Sequence, residues 1–372
     1  MKILLVTMGM DIGGAETHIL ELAKELKRRK NEVFVVSNGG KYVEELKENG
    51  IEHIWAPLHN KRIGNMVKSY KILKKTILEN KIDLVHSHTR ISSFICGKLK
   101  KTLKFPFVTT AHWTFKVTPL LKMMTDWGEN VIAVSEDIKE YLIRNYQINP
   151  NNIFVTVNGI DTEKFCKNVD YSEVAEEFQF KKNANRIVYI SRLDESRALV
   201  AKQLVNISEK LNEKIENLEI IIVGGGDSFD EISNKVKEIN DRVGRKLIIL
   251  TGARTDINKF AVSGKIFIGV SRAALEAMAC EQPVIVAGNE GYLGIFDETK
   301  LEKGIETNFC CRGLEMSNEK LLEKDILDLM ARENKEKYGE YNRDVVKKYY
   351  SVTKMTDDCE KAYKKTMQKY KK

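Results

Sequence analysis

Short runs of apolar residues, apolar throughout rather than alternating, punctuate the first half of the chain at 2–7 (KILLVT), 33–37 (VFVVS), 83–86 (DLVH), 106–110 (PFVTT) and 130–134 (NVIAV). Runs of this kind, rich in Val and Ile, suit strands covered on both faces of a parallel sheet, and the longer helical patterns between them suit crossover helices. A charged, weakly periodic stretch follows residue 165, and the pattern then restarts at 186–191 (RIVYIS), 218–223 (LEIIIV), 246–251 (KLIILT), 265–269 (KIFIG) and 283–287 (PVIVA). The expectation is an α/β protein with one domain over residues 1–165 and a second over 185–350. A polar, Lys-rich helical segment at 351–372 lies beyond the last strand and is expected to pack back on the first domain. A chain of 372 residues suits two domains, because single cores stop growing at roughly 250–300 residues.

Charge changes the picture only once it is located. The chain holds 61 Lys+Arg against 53 Asp+Glu, a net of +8. Residues 1–165 carry 25 basic and 18 acidic residues, so +7 of the excess lies in the first half. Within it, residues 61–104 hold 12 basic residues and only Glu79 and Asp83 as acids. Ile63, Met66, Val67, Tyr70, Leu73 and Ile77 follow helical spacing there and read as a core-facing stripe. Beside them Lys68, Lys71, Lys74 and Lys75, with Lys100 and Lys101 further on, form either a solvated face or a patch for anionic lipid headgroups. This local density points to an anionic surface rather than to nucleic acid.

The six cysteines, at 96, 166, 280, 310, 311 and 359, show no paired C-x-x-C spacing and no disulfide-scaffold density, so a reducing cytosol is the expected compartment. No apolar run approaches the roughly 20 residues of a membrane span, which leaves peripheral contact at the inner face of the plasma membrane as the expected form of any membrane association.

Candidate chemistry sits at strand ends. Gly13-Gly14 follows the opening strand and precedes a helical pattern, so backbone N–H groups there suit an anion, although a glycine pair serves equally as a tight turn. Arg192 and Arg197 follow the strand at 186–191 and suit a diphosphate if they converge; otherwise they are two solvated arginines. In 266–287 a Ser271-Arg272 turn opens a helix and is expected to offer its N–H groups to an anion. Glu276, in the second turn, is placed to accept from a ribose or to be an ordinary surface glutamate. Gly224-Gly225-Gly226-Asp227 lacks both the dinucleotide fingerprint and the P-loop Lys, which removes support from nicotinamide chemistry and ordinary ATP hydrolysis. His86 and His88 fall on one face of a strand end as a possible metal pair with no evident third ligand, so no metal site is expected. His112 follows PFVTT and opens towards the strand ends, as a proton relay, a hydrogen-bond donor or a structural residue.

Taken together, GGAETHILELAKEL (13–26), DLVHSH (83–88), TTAHW (109–113), VIAVSEDIKEYL (131–142), VNGIDTEKF (157–165), SRL (191–193), IIIVGGGD (220–227) and LEAMACEQPVI (275–285) resemble the family 4 glycosyltransferases of the GT-B fold, nearly end to end. The resemblance implies two Rossmann-like domains facing across a cleft. It also implies retaining transfer of a sugar from a nucleotide-sugar such as a UDP-sugar to a glycan or lipid-linked acceptor in cell-envelope polysaccharide synthesis, with no metal or other cofactor. By that resemblance Gly13, Gly14 and His112 lie at the reaction centre, and Arg192, Arg197 and Glu276 on the donor; Ser271 and Arg272 are expected on the donor from their turn, and Glu16 on the acceptor side. One departure stands out. The first glutamate of the family's E-x7-E motif falls at Ile268, and residues 259–275 contain no acid; Glu290, in GNEGYLGIF (288–296), or the Ser271-Arg272 turn is expected to take over its contacts. Two other classes fit the same outline. A nucleotide-sugar 2-epimerase would act on the donor alone, and a non-catalytic nucleotide-sugar binder would keep Arg192 and Glu276 without turnover.

Overall fold

The computed structural model describes residues 1–115 and 117–370, apart from the side chain of Leu120. The chain forms two compact units, one of Met1–Gly159 with Tyr350–Lys372 and one of Ile160–Tyr349.

The first unit carries a parallel sheet of β1 (Lys2–Val6), β2 (Glu32–Ser37), β3 (Glu52–Trp55), β4 (Leu84–Ser87), β5 (Phe107–Ala111), β6 (Asn130–Ala133) and β7 (Ile153–Val155), in the order β3-β2-β1-β4-β5-β6-β7. Successive side chains of β1 go to opposite faces, as the pleat requires. Ile3 and Leu5 join the Gly14–Arg28 helix through Ile19, Leu22 and Leu26, whereas Leu4 and Val6 join Leu73 and Ile77 of the Ile63–Glu79 helix and Ile95 and Leu99 of the Arg90–Leu103 helix. The C-terminal helix, Val352–Gln368, completes the first face. Its Met355, Cys359, Ala362 and Tyr363 recur at helical spacing and are buried in the same cluster as the Gly14–Arg28 helix.

The second unit carries β8 (Asn185–Ile190), β9 (Leu218–Val223), β10 (Ile248–Leu250), β11 (Ile266–Gly269), β12 (Val284–Gly288) and β13 (Gly291–Ile295), in the order β10-β9-β8-β11-β12-β13. All pairs are parallel except β12 with β13. Ile187, Ile220, Ile266 and Ile285 face the Leu199–Lys214, Phe229–Val243 and Glu319–Ala331 helices. Ile268, where an acid is absent from the motif, is a fully buried member of β11. The weakly periodic stretch after residue 165 belongs to this unit and includes a short helix, Ser172–Glu177.

Three strands were not legible as apolar runs. β3 reads EHIW and is half-exposed, β7 has three residues, and β13 holds two glycines at a sheet edge. The stripe along 63–77 also divides. Leu73 and Ile77 are buried as expected, but Ile63 is 82% exposed and Val67 50%, so the start of that helix turns apolar side chains to solvent.

Candidate functional site

In each sheet the strand order reverses direction at one place, between β1 and β4 in the first and between β8 and β11 in the second. Crevices outside the carboxyl ends of strands at such switch points are where open α/β sheets bind ligands. In the first unit His88 and Gly13 follow the two switch-point strands, β4 and β1; in the second, Arg192 follows β8 and the Ser271–Ala279 helix follows β11.

In the first unit the loop after β1 leads to Gly13, which precedes the Gly14–Arg28 helix; among the described residues no side chain caps that N-terminus. A Cβ added at Gly14 would meet nothing within 4 Å, so the space beside it is open. Glu16 lies in the first turn, where the helix dipole favours a carboxylate. One turn on from Gly14, His18 is buried, and its Nδ1–H donates to Asn158 Oδ1 at 3.2 Å, just after β7. His88 follows β4 and His112 follows β5, and His88 Nδ1 lies 3.1 Å from His112 Nε2. The His18 and His112 rings meet edge to face with centroids 4.8 Å apart.

This corrects the pairing of His86 with His88 as metal ligands. The two rings do lie on one side of the strand end, with centroids 4.0 Å apart, but both nitrogens of His86 are engaged, Nδ1 with the Tyr363 hydroxyl and Nε2 with Thr110 Oγ1, each at 2.7 Å. His88 keeps company with His18 and His112 instead, each offering a ring nitrogen within 4.8 Å of the others. Burial holds His86, His88 and His112 well below the ordinary imidazole pKa, and the neighbouring imidazoles push the same way. His112 therefore acts as a neutral hydrogen-bonding group.

In the second unit the 191–198 loop is strapped to the glycine loop that ends β9. Leu193 N–H donates to Gly225 O and Ser228 N–H to Leu193 O. The approach is so close that a Cβ on Gly224, which has φ +155°, would stand 1.8 Å from Ser191 O. Arg192 is exposed, two residues beyond β8, and Arg197 lies 3.6 Å from Asp194. Asn289, on the turn between β12 and β13, accepts from Leu199 N–H and so caps the Leu199–Lys214 helix.

The Ser271-Arg272 turn differs from expectation. Val270 alone connects β11 to the Ser271–Ala279 helix, and Ser271 takes a left-handed φ of +53°. Its N–H donates to Phe309 O at 2.7 Å and so is not offered to an anion. Arg272 Nε pairs instead with Glu276 Oε1 at 2.8 Å, and Glu276 is 5% exposed, which excludes the ordinary surface role. Glu290 is exposed and faces Arg312 at 3.3 Å.

The lysine patch is smaller than expected. Lys100 is paired with Glu129 and Lys75 lies 3.9 Å from Glu79, while Lys68 sits over the Trp55 ring at 5.0 Å. Lys71, Lys74 and Lys101 are exposed. Beside the start of the Ile63–Glu79 helix a crevice is lined by Lys61, Met66, Arg90, Phe94, Leu121 and Met124.

His18, Asn158 and Tyr363 were not singled out from sequence. His18 had a readable signal, since it stands four residues after Gly14 on one helix and thus on the same face. Asn158 and Tyr363 had none, because their partners are 140 and 277 residues away.

Comparison with known proteins gives a consistent picture. Residues 12–164 match the description "Glycosyltransferase Family 4", and residues 184–307 match "Glycosyl transferases group 1". The chain is 26% identical over 255 residues, 62% of its length and 63% of the relative's, to a UDP-Gal:alpha-D-GlcNAc-diphosphoundecaprenol alpha-1,3-galactosyltransferase of Escherichia coli. It is 24% identical over 319 residues, 77% of its length and 83% of the relative's, to an N,N'-diacetylbacillosaminyl-diphospho-undecaprenol alpha-1,3-N-acetylgalactosaminyltransferase of Campylobacter jejuni. The crystal structure of a glycosyltransferase from Rickettsia africae superposes with a TM-score of 0.78 at 23% identity, covering 98% of each chain.

Proposed function

Because this chain belongs to the family 4 glycosyltransferases and has their GT-B fold, it moves a sugar from a nucleotide-sugar donor, and we propose that the donor is a UDP-sugar and the acceptor a lipid-linked sugar at the cytoplasmic membrane surface. Configuration at the anomeric carbon is retained, and the product enters cell-envelope polysaccharide.

The observation that carries the acceptor reading is the start of the Ile63–Glu79 helix. Exposed Ile63 and Val67 share one helix with exposed Lys71 and Lys74, and an apolar side beside cations is how a helix lies in a lipid interface. The E. coli and C. jejuni relatives are named for diphosphoundecaprenol acceptors, which supports the same reading. No helix among the described residues is long and apolar enough to cross a membrane.

In the second unit Arg192 and Arg197 hold the donor diphosphate and offset the charge that builds on the leaving group. Preorganised cations in that role act without reorganising during the reaction. Glu276, held in place by Arg272, accepts from the ribose. Glu290, on the turn after β12, contacts the transferred sugar in place of the acid absent at 268. In the first unit the open space beside Gly14 receives the reacting sugar, and neutral His112 hydrogen-bonds one of its hydroxyls. Arginines and a helix N-terminus supply the electrostatics, and the transfer step uses no metal.

A thermal-shift series with UDP-, GDP- and ADP-sugars tests the donor, because a ligand that binds only the folded state raises Tm by mass action. The UDP series should give the largest shift. Flotation with vesicles of anionic and of neutral lipid tests the surface. Salt-sensitive binding to the anionic vesicles alone is expected, and no binding to either would remove the membrane reading.

A further inference from the structure

We propose that His18, His88 and His112 form a binding site for a borderline divalent cation of the Zn²⁺ type, and that the ion, by occupying His112, switches sugar transfer off.

Geometry comes first. Three imidazoles from three separate segments each place a ring nitrogen within 4.8 Å of the other two. The closest pair, His88 Nδ1 and His112 Nε2, stands 3.1 Å apart, about the spacing of two ligands on one tetrahedral zinc with bonds of about 2.0–2.1 Å. Small side-chain rotations bring in the third.

The orientation of His18 is that of a ligand. Asn158 Oδ1 accepts from its Nδ1–H, so the Nε2 carries the lone pair. Metal-binding histidines usually give their other N–H to an oxygen in this way, which sets the tautomer and the ring angle.

His88, which is 4% exposed, meets His112 through Nδ1, and that is the nitrogen it gives to the ion.

The donor set selects the ion. Three imidazoles suit Zn²⁺, Co²⁺ or Ni²⁺, whereas Mg²⁺ and Ca²⁺ prefer oxygen. Three protein nitrogens leave a fourth position for water or an anion, the pattern of an open rather than a closed zinc site. Partly buried His112 and exposed Trp113 give the ion a way in.

The switch rests on the role proposed above for His112, but binding does not. Metal-stripped full-length protein titrated with Zn²⁺ in a calorimeter should bind one ion per chain, and His18→Gln and His88→Gln should each weaken binding at least tenfold while Mg²⁺ gives no heat. Co²⁺ on the wild-type protein provides a readout needing no variant, with the intense visible bands of a four-coordinate nitrogen site and no thiolate charge-transfer band. A thiolate band, an unchanged affinity in both variants, or no binding at micromolar Zn²⁺ would overturn the site. If Zn²⁺ binds as described and the protein transfers sugar, transfer should fall at least tenfold with saturating Zn²⁺ and return with a chelator; undiminished transfer would overturn the switch alone. If no transfer is seen under any condition, the functional reading fails and the metal site stands on its binding data.

Discussion

His88 Nδ1 lies 3.1 Å from His112 Nε2, so the orientation of His112 is set by a second, more deeply buried histidine. Both are held neutral by burial, so the contact is a hydrogen bond between uncharged rings and survives across the neutral pH range. His88→Ala should lower kcat on the order of a hundredfold, the scale expected when a reacting group is misplaced by about 1 Å. KM for the donor should change little. Initial rates at varied donor concentration check this, and an effect on KM alone would contradict it.

The buried imidazoles also set an acid limit on stability. His86, His88 and His112 have folded-state pKa values far below the ordinary value of about 6.5 that they regain on unfolding. Below that pH the unfolded chain binds protons that the folded chain refuses, so stability is full above about pH 6.5 and is lost as the pH falls. Each histidine contributes a slope of about 1.4 kcal/mol per pH unit. Denaturant melts from pH 7.5 to 5 should show this loss, and His86→Gln should flatten it if the variant folds.

Arg192 is exposed and makes no ion pair among the described residues, which fits a residue kept for a ligand. Arg192→Ala should raise donor KM roughly tenfold to a hundredfold, the equivalent of about 1.5–3 kcal/mol for a charge-assisted hydrogen bond, and leave Tm within a degree or two. Arg197→Ala should do less, because Asp194 shares its charge. Steady-state kinetics beside melting curves separate the two effects.

Gly224 packs against the loop that carries that arginine. With φ at +155° and Ser191 O only 1.8 Å from any added Cβ, Gly224→Ala must displace the 191–194 loop. It should cost more than about 1 kcal/mol and raise donor KM together with the loss of stability. A variant of wild-type Tm and KM would show that the strap is not needed.

Much of the fold is legible in the sequence. β1, β2, β4, β5 and β6 in the first sheet, and β8, β9, β10, β11 and β12 in the second, announce themselves because a buried parallel strand must be apolar on both faces. β3, β7 and β13 do not, since an edge strand meets solvent and tolerates Glu52, His53 or a pair of glycines. The site followed the same division. His112 and Arg192 stand out in the sequence because each sits just past an apolar run, and Glu276 because it falls one helical turn further on. The Tyr363 contact to His86 and the Phe309 carbonyl that takes the Ser271 N–H come from distant sequence, and no local pattern reports them. Ile63 and Val67 misled for a related reason. Helical spacing places them on the stripe with Leu73 and Ile77, but spacing alone does not report that only the later part of the stripe is covered.

Acceptor-dependent transfer is open to one direct assay. Wild-type protein and His112→Ala are incubated with a UDP-sugar, with and without a diphosphoundecaprenol-linked sugar, and released UDP and both sugars are followed by NMR. The account predicts stoichiometric UDP release only when the acceptor is present, a product with the donor's anomeric configuration, and a rate lowered at least a hundredfold in His112→Ala. Conversion of the donor without acceptor would make the protein an isomerase, and donor binding with no turnover under any acceptor would make it a carrier; either result contradicts the account.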